Sequence, residues 1–397
     1  MSLAALLEEA TSLQPQTIEL RRALHRQPEI GLDLPVTREI VLDAIADLPL
    51  GLTLHETTSG IVAVLEGGMP GPTVLLRGDM DALPLQEDTG LDFASEVDGV
   101  MHACGHDLHT AMLASSARLL AAHRDELPGK VVFMFQPGEE GFGGARYMLD
   151  EGVLDATGEM PVRAFAIHVW AARFPGISCR GGAFMASADT VEITVNGAGG
   201  HASAPFLAID PILAAAEVMT SIQTAITREV NAFDPAVFTV SQIHGGSTHN
   251  IIPSKVELGG TLRCVSDGRR AAMLDLIPRV ASAVAEAHGA TAEVEFSEGY
   301  PVTINDDEVA AEVRAIATEL FGEDRVANPP SPIMGAEDWS YVLQRVPGAI
   351  AFLDANPGGA TEPAGNHSNL VVFNEDAMAQ GVALYAAYAM GSLTAHA

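Results

Sequence analysis

Apolar positions along this chain fall into two textures. Short continuous runs recur at residues 61–65 (Ile-Val-Ala-Val-Leu), 73–76, 131–135 and 164–167, each bounded by Gly, Pro or polar residues. A strand covered by helices on both faces has no polar side, so such runs predict the buried strands of an α/β sheet. Helical spacing fills the intervals, over residues 3–48 with an interruption around residues 28–35, and again over 111–122. Between residues 184 and 297 the texture changes. Val191-Glu192-Ile193-Thr194-Val195 alternates apolar with polar, as a sheet with one face in water requires. Helical patterns at 211–226 and 269–288, the latter with a kink predicted at Pro278, are interleaved with strand-like runs at 237–243, 256–262 and 293–296. The resulting order β-α-β-β-α-β is that of a ferredoxin-like sandwich. After Tyr300, a helical pattern at 308–320 and a strand-like run at 349–353 restore the first texture. The pattern predicts an α/β domain made of residues 1–184 and 298–397, interrupted by a ferredoxin-like α+β domain at 185–297.

Composition narrows the partners. A chain of 397 residues, 48% apolar, is long enough for two domains with separate cores. No apolar run approaches the length of a membrane span, and Glu8, Glu9 and Glu19 make the first 20 residues unlike a secretory signal. Cys104, Cys179 and Cys264 are too few and too dispersed for a disulfide framework, which favours a reducing cytoplasm. The net charge of −31, with Lys130 and Lys255 as the only lysines, argues against nucleic acid or an anionic membrane as partner. A small anionic substrate stays possible, because a few local arginines can override the global field. The basic face formed by Arg21, Arg22, His25 and Arg26 reads as a solvated helix surface.

Chemistry concentrates at Met101-His102-Ala103-Cys104-Gly105-His106-Asp107-Leu108-His109, nine residues holding three imidazoles, a thiol and a carboxylate. A thiolate and an imidazole separated by a glycine can wrap around one centre, and together they suit zinc, manganese, nickel or cobalt better than calcium or magnesium. The plainer explanation, a capped helix N-terminus with Cys104 as inert core, fits this stretch taken alone. It fits poorly with the rest of the pattern. The runs at 73–76, 131–135 and 164–167 lead into Asp79 and Asp81, into Glu139 and Glu140, and into His168. Ligands in open α/β sheets gather at the carboxyl ends of strands. With His367 from the late segment Gly365-Asn366-His367-Ser368, the candidate ligands are Cys104, His106, Glu140, His168 and His367, enough for two divalent ions a few ångströms apart. Adjacent carboxylates at a strand end point different ways, so one of Glu139 and Glu140 can ligate while the other stays free as a general base for a metal-bound water.

The segments His102-Ala103-Cys104-Gly105-His106-Asp107, Gln136-Pro137-Gly138-Glu139-Glu140-Gly141 and Arg77-Gly78-Asp79-Met80-Asp81-Ala82-Leu83-Pro84 resemble the motifs of metal-dependent amidohydrolases. That group includes hippurate hydrolases, aminoacylases and auxin-conjugate hydrolases, and is related to carboxypeptidase G. The resemblance runs from about residue 21 to residue 367. It implies a zinc-peptidase-like catalytic domain with a mixed sheet and an inserted lid that dimerises, giving a homodimer or a dimer of dimers. It implies two divalent metal ions per subunit (Mn, Zn, Ni or Co) on Cys104, His106, Glu140, His168 and His367. It also implies Glu139 as base and then acid, and Asp81 as a supporting carboxylate. In the lid, Gly199-Gly200-His201-Ala202-Ser203-Ala204-Pro205 matches the motif whose histidine reaches a neighbouring subunit's active site. Asn250 and Arg263 match positions that hold the substrate carboxylate, and Gly335-Ala336-Glu337-Asp338 matches a further substrate-side loop. Phe206 stands where a histidine is common, and Ser368-Asn369 where Ser/Thr-Pro is usual. His102, His109, His244 and His249 have no assigned role.

The implied activity is metal-dependent hydrolysis of the amide bond of N-acyl amino acids, hippurate-like or N-acetylated. A di- or aminopeptidase, or a deacetylase of the N-acetyl-diaminopimelate type, is the alternative on the same scaffold. A non-catalytic metal-binding relic would have no need of Glu139 beside Glu140.

Overall fold

A computed structural model describes residues 2–171, 176–358 and 364–397. The chain divides into two compact units, one made of residues 1–184, 304–331 and 338–397, the other of residues 185–303 and 332–337.

The first unit is built on an eight-stranded mixed sheet. Its first strands are β1 (Leu50–Leu54), β2 (Ile61–Glu66), β3 (Met69–Asp79), β4 (Pro128–Gln136), β5 (Arg163–Trp170) and β6 (Ile177–Ser178). The spatial order is β1, β2, β4, β3, β5, then Gly348–Asp354, β6 and Val326–Ala327. β3 runs parallel to β4 and β5, and β5 parallel to Gly348–Asp354, whereas β1 and β2 are antiparallel neighbours. The carboxyl ends of β3, β4 and β5 therefore share one edge, as the apolar runs required. Val74, Leu75, Leu76 and all of residues 131–136 are buried, which explains why these strands show no polar alternation.

Helices α1 (Leu3–Arg26), α2 (Pro35–Ile45), α3 (His106–Ala122), Asp307–Phe321 and the C-terminal helix Ala377–Ala395 contribute to the core around the sheet. α1 is capped by Ser2, whose hydroxyl accepts from the Ala5 amide at 3.3 Å. α3 is buried from His106 to Ala117 and starts at Gly105, where φ is +93°. A Cβ there would lie 2.4 Å from Val169 Cγ2, so only glycine admits both the turn and the contact. Half of the basic face on α1 is not solvated. Arg21 and His25 are 1% exposed and turn inward to Asp107, which sits in the first turn of α3.

The second unit holds a four-stranded antiparallel sheet in the order Ala236–Gly245, Lys255–Cys264, Asp189–Asn196, Thr291–Glu298. Helices Pro211–Glu229 and Asp267–Ala287 join these strands and share a core with Val191, Ile193, Val195, Leu258 and Leu262. Strand order 4-1-3-2 with two helices is the ferredoxin-like arrangement.

Candidate metal centre

The sheet edge gathers donors from four places far apart in sequence. Cys104 and His106 flank Gly105 at the start of α3, and Glu139 and Glu140 follow the end of β4. His168 lies two residues inside the end of β5 rather than beyond it, and His367 comes from the late segment. Cys104 Sγ is 3.4 Å from His168 Nε2 and 3.3 Å from His367 Nε2. Glu140 Oε1 lies 3.2 Å from His367 Nε2 and 4.0 Å from His106 Nε2. Donor atoms of Cys104, His106 and His168 fall within 4.8 Å of one another, and so do those of Cys104, Glu140 and His367. Cys104 belongs to both triplets.

The chemistry of this set fits divalent cations. Both ring nitrogens of His106 and Oε1 of Glu140 are buried without a hydrogen bond, an expensive arrangement for polar atoms unless something else satisfies them. His168 Nδ1 donates to the Val169 carbonyl at 2.7 Å, which fixes its proton there and leaves the Nε2 lone pair facing Cys104. Burial, together with the neighbouring His109, holds His168 well below the usual imidazole range, so this ligand is neutral. Burial opposes a charge on His106, but Asp79, Cys104 and Asp81 outweigh it and raise its basicity.

Supporting side chains orient the donors. Asp81 is buried, and its two oxygens accept from the Glu139 amide at 2.9 Å and the Glu140 amide at 3.0 Å. Its Oδ1 is also 3.3 Å from His106 Nδ1. His109, given no role from sequence, is wedged into the same region. The Val169 amide donates to its Nε2 at 2.7 Å, so its Nδ1 carries the proton and donates to Asp79 at 2.5 Å. With Nε2 engaged, His109 is a structural neighbour of the centre and not a ligand. Asn366 is a further contributor that its sequence context did not reveal. Its amide group donates to the carbonyls of Cys104 and Val169, both at 3.1 Å, tying the cysteine backbone to the end of β5. His367, beside it, has φ +66°, the one positive value among described non-glycine residues, and its amide donates to Ala103. His102 is buried, and burial pushes it down to about 3.

The remaining predicted residues belong to the second unit. His201 is exposed and pairs with Ile251 in a two-stranded ladder, which brings Asn250 beside it. The Ser203 amide donates to His201 Nδ1 at 3.1 Å, so the neutral tautomer of the ring carries its proton on Nε2. Asn250 accepts from Thr248 Oγ1 at 3.1 Å. Arg263 is half-buried on the strand Lys255–Cys264, in register with Val237. His244 and His249 are exposed.

A parallel-edge site built from Cys, His and Glu donors with a spare carboxylate is that of a metal-dependent hydrolase, and relatives agree. The model of peptidase family M20/M25/M40 matches residues 75–391, and the chain belongs to that family as a metal-dependent amidohydrolase. It is 36% identical over 396 residues to thermostable carboxypeptidase 1 of Saccharolobus solfataricus, covering 97% of each chain. To the IAA-amino acid hydrolase ILR1-like 2 of Arabidopsis thaliana it is 34% identical over 382 residues, 94% of this chain and 84% of the relative. Among solved structures, a Bacillus subtilis protein described as a dinuclear metal-binding peptidase of the M20 family superposes with TM-score 0.83 at 30% identity. That match spans 97% of this chain and 99% of the other.

Proposed function

We propose that this chain hydrolyses the amide bond of N-acyl amino acids at a dinuclear centre held by Cys104, His106, Glu140, His168 and His367. The observation that carries the reading is the shared position of Cys104 in two donor triplets, with Glu139 beside Glu140 on a backbone pinned by Asp81. Bound cations would supply Lewis-acid activation of water and polarise the scissile carbonyl. Glu139 takes the proton from the attacking water and passes it to the leaving amine, so the C–N bond breaks with no net change in the enzyme. Asn250 and Arg263 hold the carboxylate of the amino-acid half. His201, its proton fixed on Nε2, donates to the developing oxyanion of a neighbouring subunit's substrate. The second unit acts as lid and dimerisation domain, in a homodimer or a dimer of dimers working in the cytoplasm. No helix among the described residues is long and apolar enough to cross a membrane.

The carboxypeptidase relative supports a second reading, since a carboxypeptidase also cleaves an amide next to an amino acid with a free carboxylate. An assay of amino-acid release separates the two. The substrates are N-acetyl, N-benzoyl and N-indoleacetyl amino acids and matched dipeptides, each with Mn²⁺, Zn²⁺, Co²⁺ or Ni²⁺. Turnover of the acyl substrates above that of the dipeptides is expected. Turnover of the dipeptides above that of the acyl substrates would overturn the acylase reading in favour of a carboxypeptidase, and a strict requirement for a free α-amino group would favour a di- or aminopeptidase.

A further inference from the structure

Residues 137–144, which carry Glu139 and Glu140, form a loop that turns at three glycines of positive φ, Gly138 (+69°), Gly141 (+86°) and Gly143 (+68°). It is closed on itself by backbone bonds from the Gly141 amide to Glu139 at 2.7 Å and from the Gly144 amide to Gly138 at 2.9 Å. Asp81 pins the middle of the loop. Both of its ends meet at a single fully buried carboxylate, Asp338. On the entry side the Gln136 side-chain amide donates to Asp338 Oδ1 at 2.8 Å and to Oδ2 at 2.9 Å. On the exit side the Ala145 amide, in the first turn of helix α4 (Gly144–Asp150), donates to Oδ2 at 2.9 Å. Arg77 completes the cluster. It donates to Asp338 at 3.0 Å, to Gln136 Oε1 at 2.9 Å and to Asp79 at 2.7 Å, and Asp79 in turn holds His109.

The geometry points to Asp338 as a positioning residue that fixes both ends of the loop bearing the general base. This rests on the assignment of Glu139 as base. Asp338 holds the two ends from one point, and one of its oxygens lies within 4.8 Å of the Glu139 carboxylate, so the placement of the Glu139 carboxyl depends on it. An asparagine in its place offers one acceptor oxygen where Asp338 offers two, and its NH₂ would face donors. A buried charge kept only for stability predicts a different pattern, because losing it would lower the melting temperature and leave turnover per folded molecule intact.

The test compares Asp338→Asn with Asn305→Ala, a control that removes buried hydrogen bonds to Arg180 and Ile350. Turnover, KM, bound metal and Tm are measured at saturating Mn²⁺. In Asp338→Asn, kcat should fall by about 10²-fold while KM stays within about threefold, because a displaced reacting group costs rate and not ground-state binding. Metal content should be unchanged, and Asn305→Ala should lose Tm alone. Combined with Glu139→Gln, Asp338→Asn should cost little more, since a base already removed cannot be misplaced. Wild-type kcat in Asp338→Asn, or a full additional loss in the double variant, overturns the proposal. A loss in Asp338→Asn alongside normal turnover in Glu139→Gln would instead fault the base assignment and leave the anchor standing. If Asp338→Asn does not fold, Gln136→Met, which removes one anchor and leaves Asp338 paired with Arg77, should show the same kcat-selective loss. Unchanged kcat there overturns the proposal.

Discussion

Arg21 and His25 lie one turn apart on α1, and both end on the same oxygen of Asp107, at 2.7 and 2.8 Å. Arg21 also reaches Glu375 at 3.1 Å, so the start of α3 is tied to α1 and to the segment before the C-terminal helix. Removing one partner of a buried pair leaves an uncompensated charge, which costs about 3–5 kcal/mol. Arg21→Met should lose stability of that order in denaturant titration while Cys104 and His106 still bind metal at saturation. His25 adds a pH dependence. Burial lowers its basicity, but Asp107 and Glu87 outweigh both burial and Arg21 and raise it above the ordinary value. Burial likewise opposes ionisation of Glu87, yet His25, Thr89 and the Ser95 amide bring it down to about 2. His102 packs against His25 and is pushed down by burial, so it adds no charge of its own near neutrality. The signs follow from linkage. The Glu87 contribution is present above the normal carboxylate pKa of about 4.3 and is lost as the pH falls from there towards 2. That of His25 is complete below the normal imidazole pKa of about 6.5 and is lost as pH rises through its raised value. The difference in Tm between wild type and His25→Gln should therefore peak between about pH 4.5 and 6.5 and shrink on both sides. A difference that grew steadily towards alkaline pH would contradict this account.

At the level of elements, the strands were legible because burial on both faces leaves an unmistakable apolar run. Residues 61–65, 73–76, 131–135 and 164–167 all fall within β2 to β5. Four of the five candidate donors that the structure brings together were legible for a different reason: Glu140 and His168 follow buried apolar runs, and Cys104 and His106 flank a single glycine. The role of α1's basic face was hidden, because its acidic partner Asp107 lies 86 residues from Arg21. The helix Ala377–Ala395 leaves no amphipathic pattern in the sequence. It is buried on nearly all sides, so it lacks the polar stripe that marks an amphipathic helix. Its placement nonetheless shapes the site. β3 and β5 pair as far as Arg77 and Ala166, and beyond that point the Tyr385 hydroxyl takes the next two backbone groups. It donates to the Arg77 carbonyl at 2.7 Å and accepts from the Ile167 amide at 2.9 Å. The strand ends carrying Asp79 and His168 are thereby set beside each other. Tyr385→Phe would strip the buried Ile167 amide of its acceptor, which costs about 1–3 kcal/mol. Thermal unfolding should register that loss, whereas a stability within error of wild type would argue against the bridge.

For the whole molecule, the net charge of −31 repels anionic substrates at long range, so the cationic groups near the reaction must act locally. Arg263, half-buried on the strand Lys255–Cys264, is the cationic group proposed for that task. A two-fold dimer is the commonest closed assembly, and it would let one subunit's His201 serve the other's substrate. Mixing His201→Ala with Glu139→Gln subunits tests this directly. Each variant should be nearly inactive alone, since an oxyanion donor is worth about 10²- to 10³-fold in turnover. If His201 acts across the interface, a mixed dimer contains one site with both residues intact and activity returns. Verified heterodimers without recovered activity would restrict His201 to its own subunit.

The division of labour between two adjacent carboxylates bears most directly on the whole account. Elemental analysis and turnover measured on the same preparations of Glu139→Gln and Glu140→Gln test it. Glu139→Gln should keep its metal and lose at least about 10²-fold in kcat, the worth of a well-placed general base. Glu140→Gln should lose metal together with activity. Metal retained in Glu140→Gln and lost in Glu139→Gln would contradict the account and exchange the two roles.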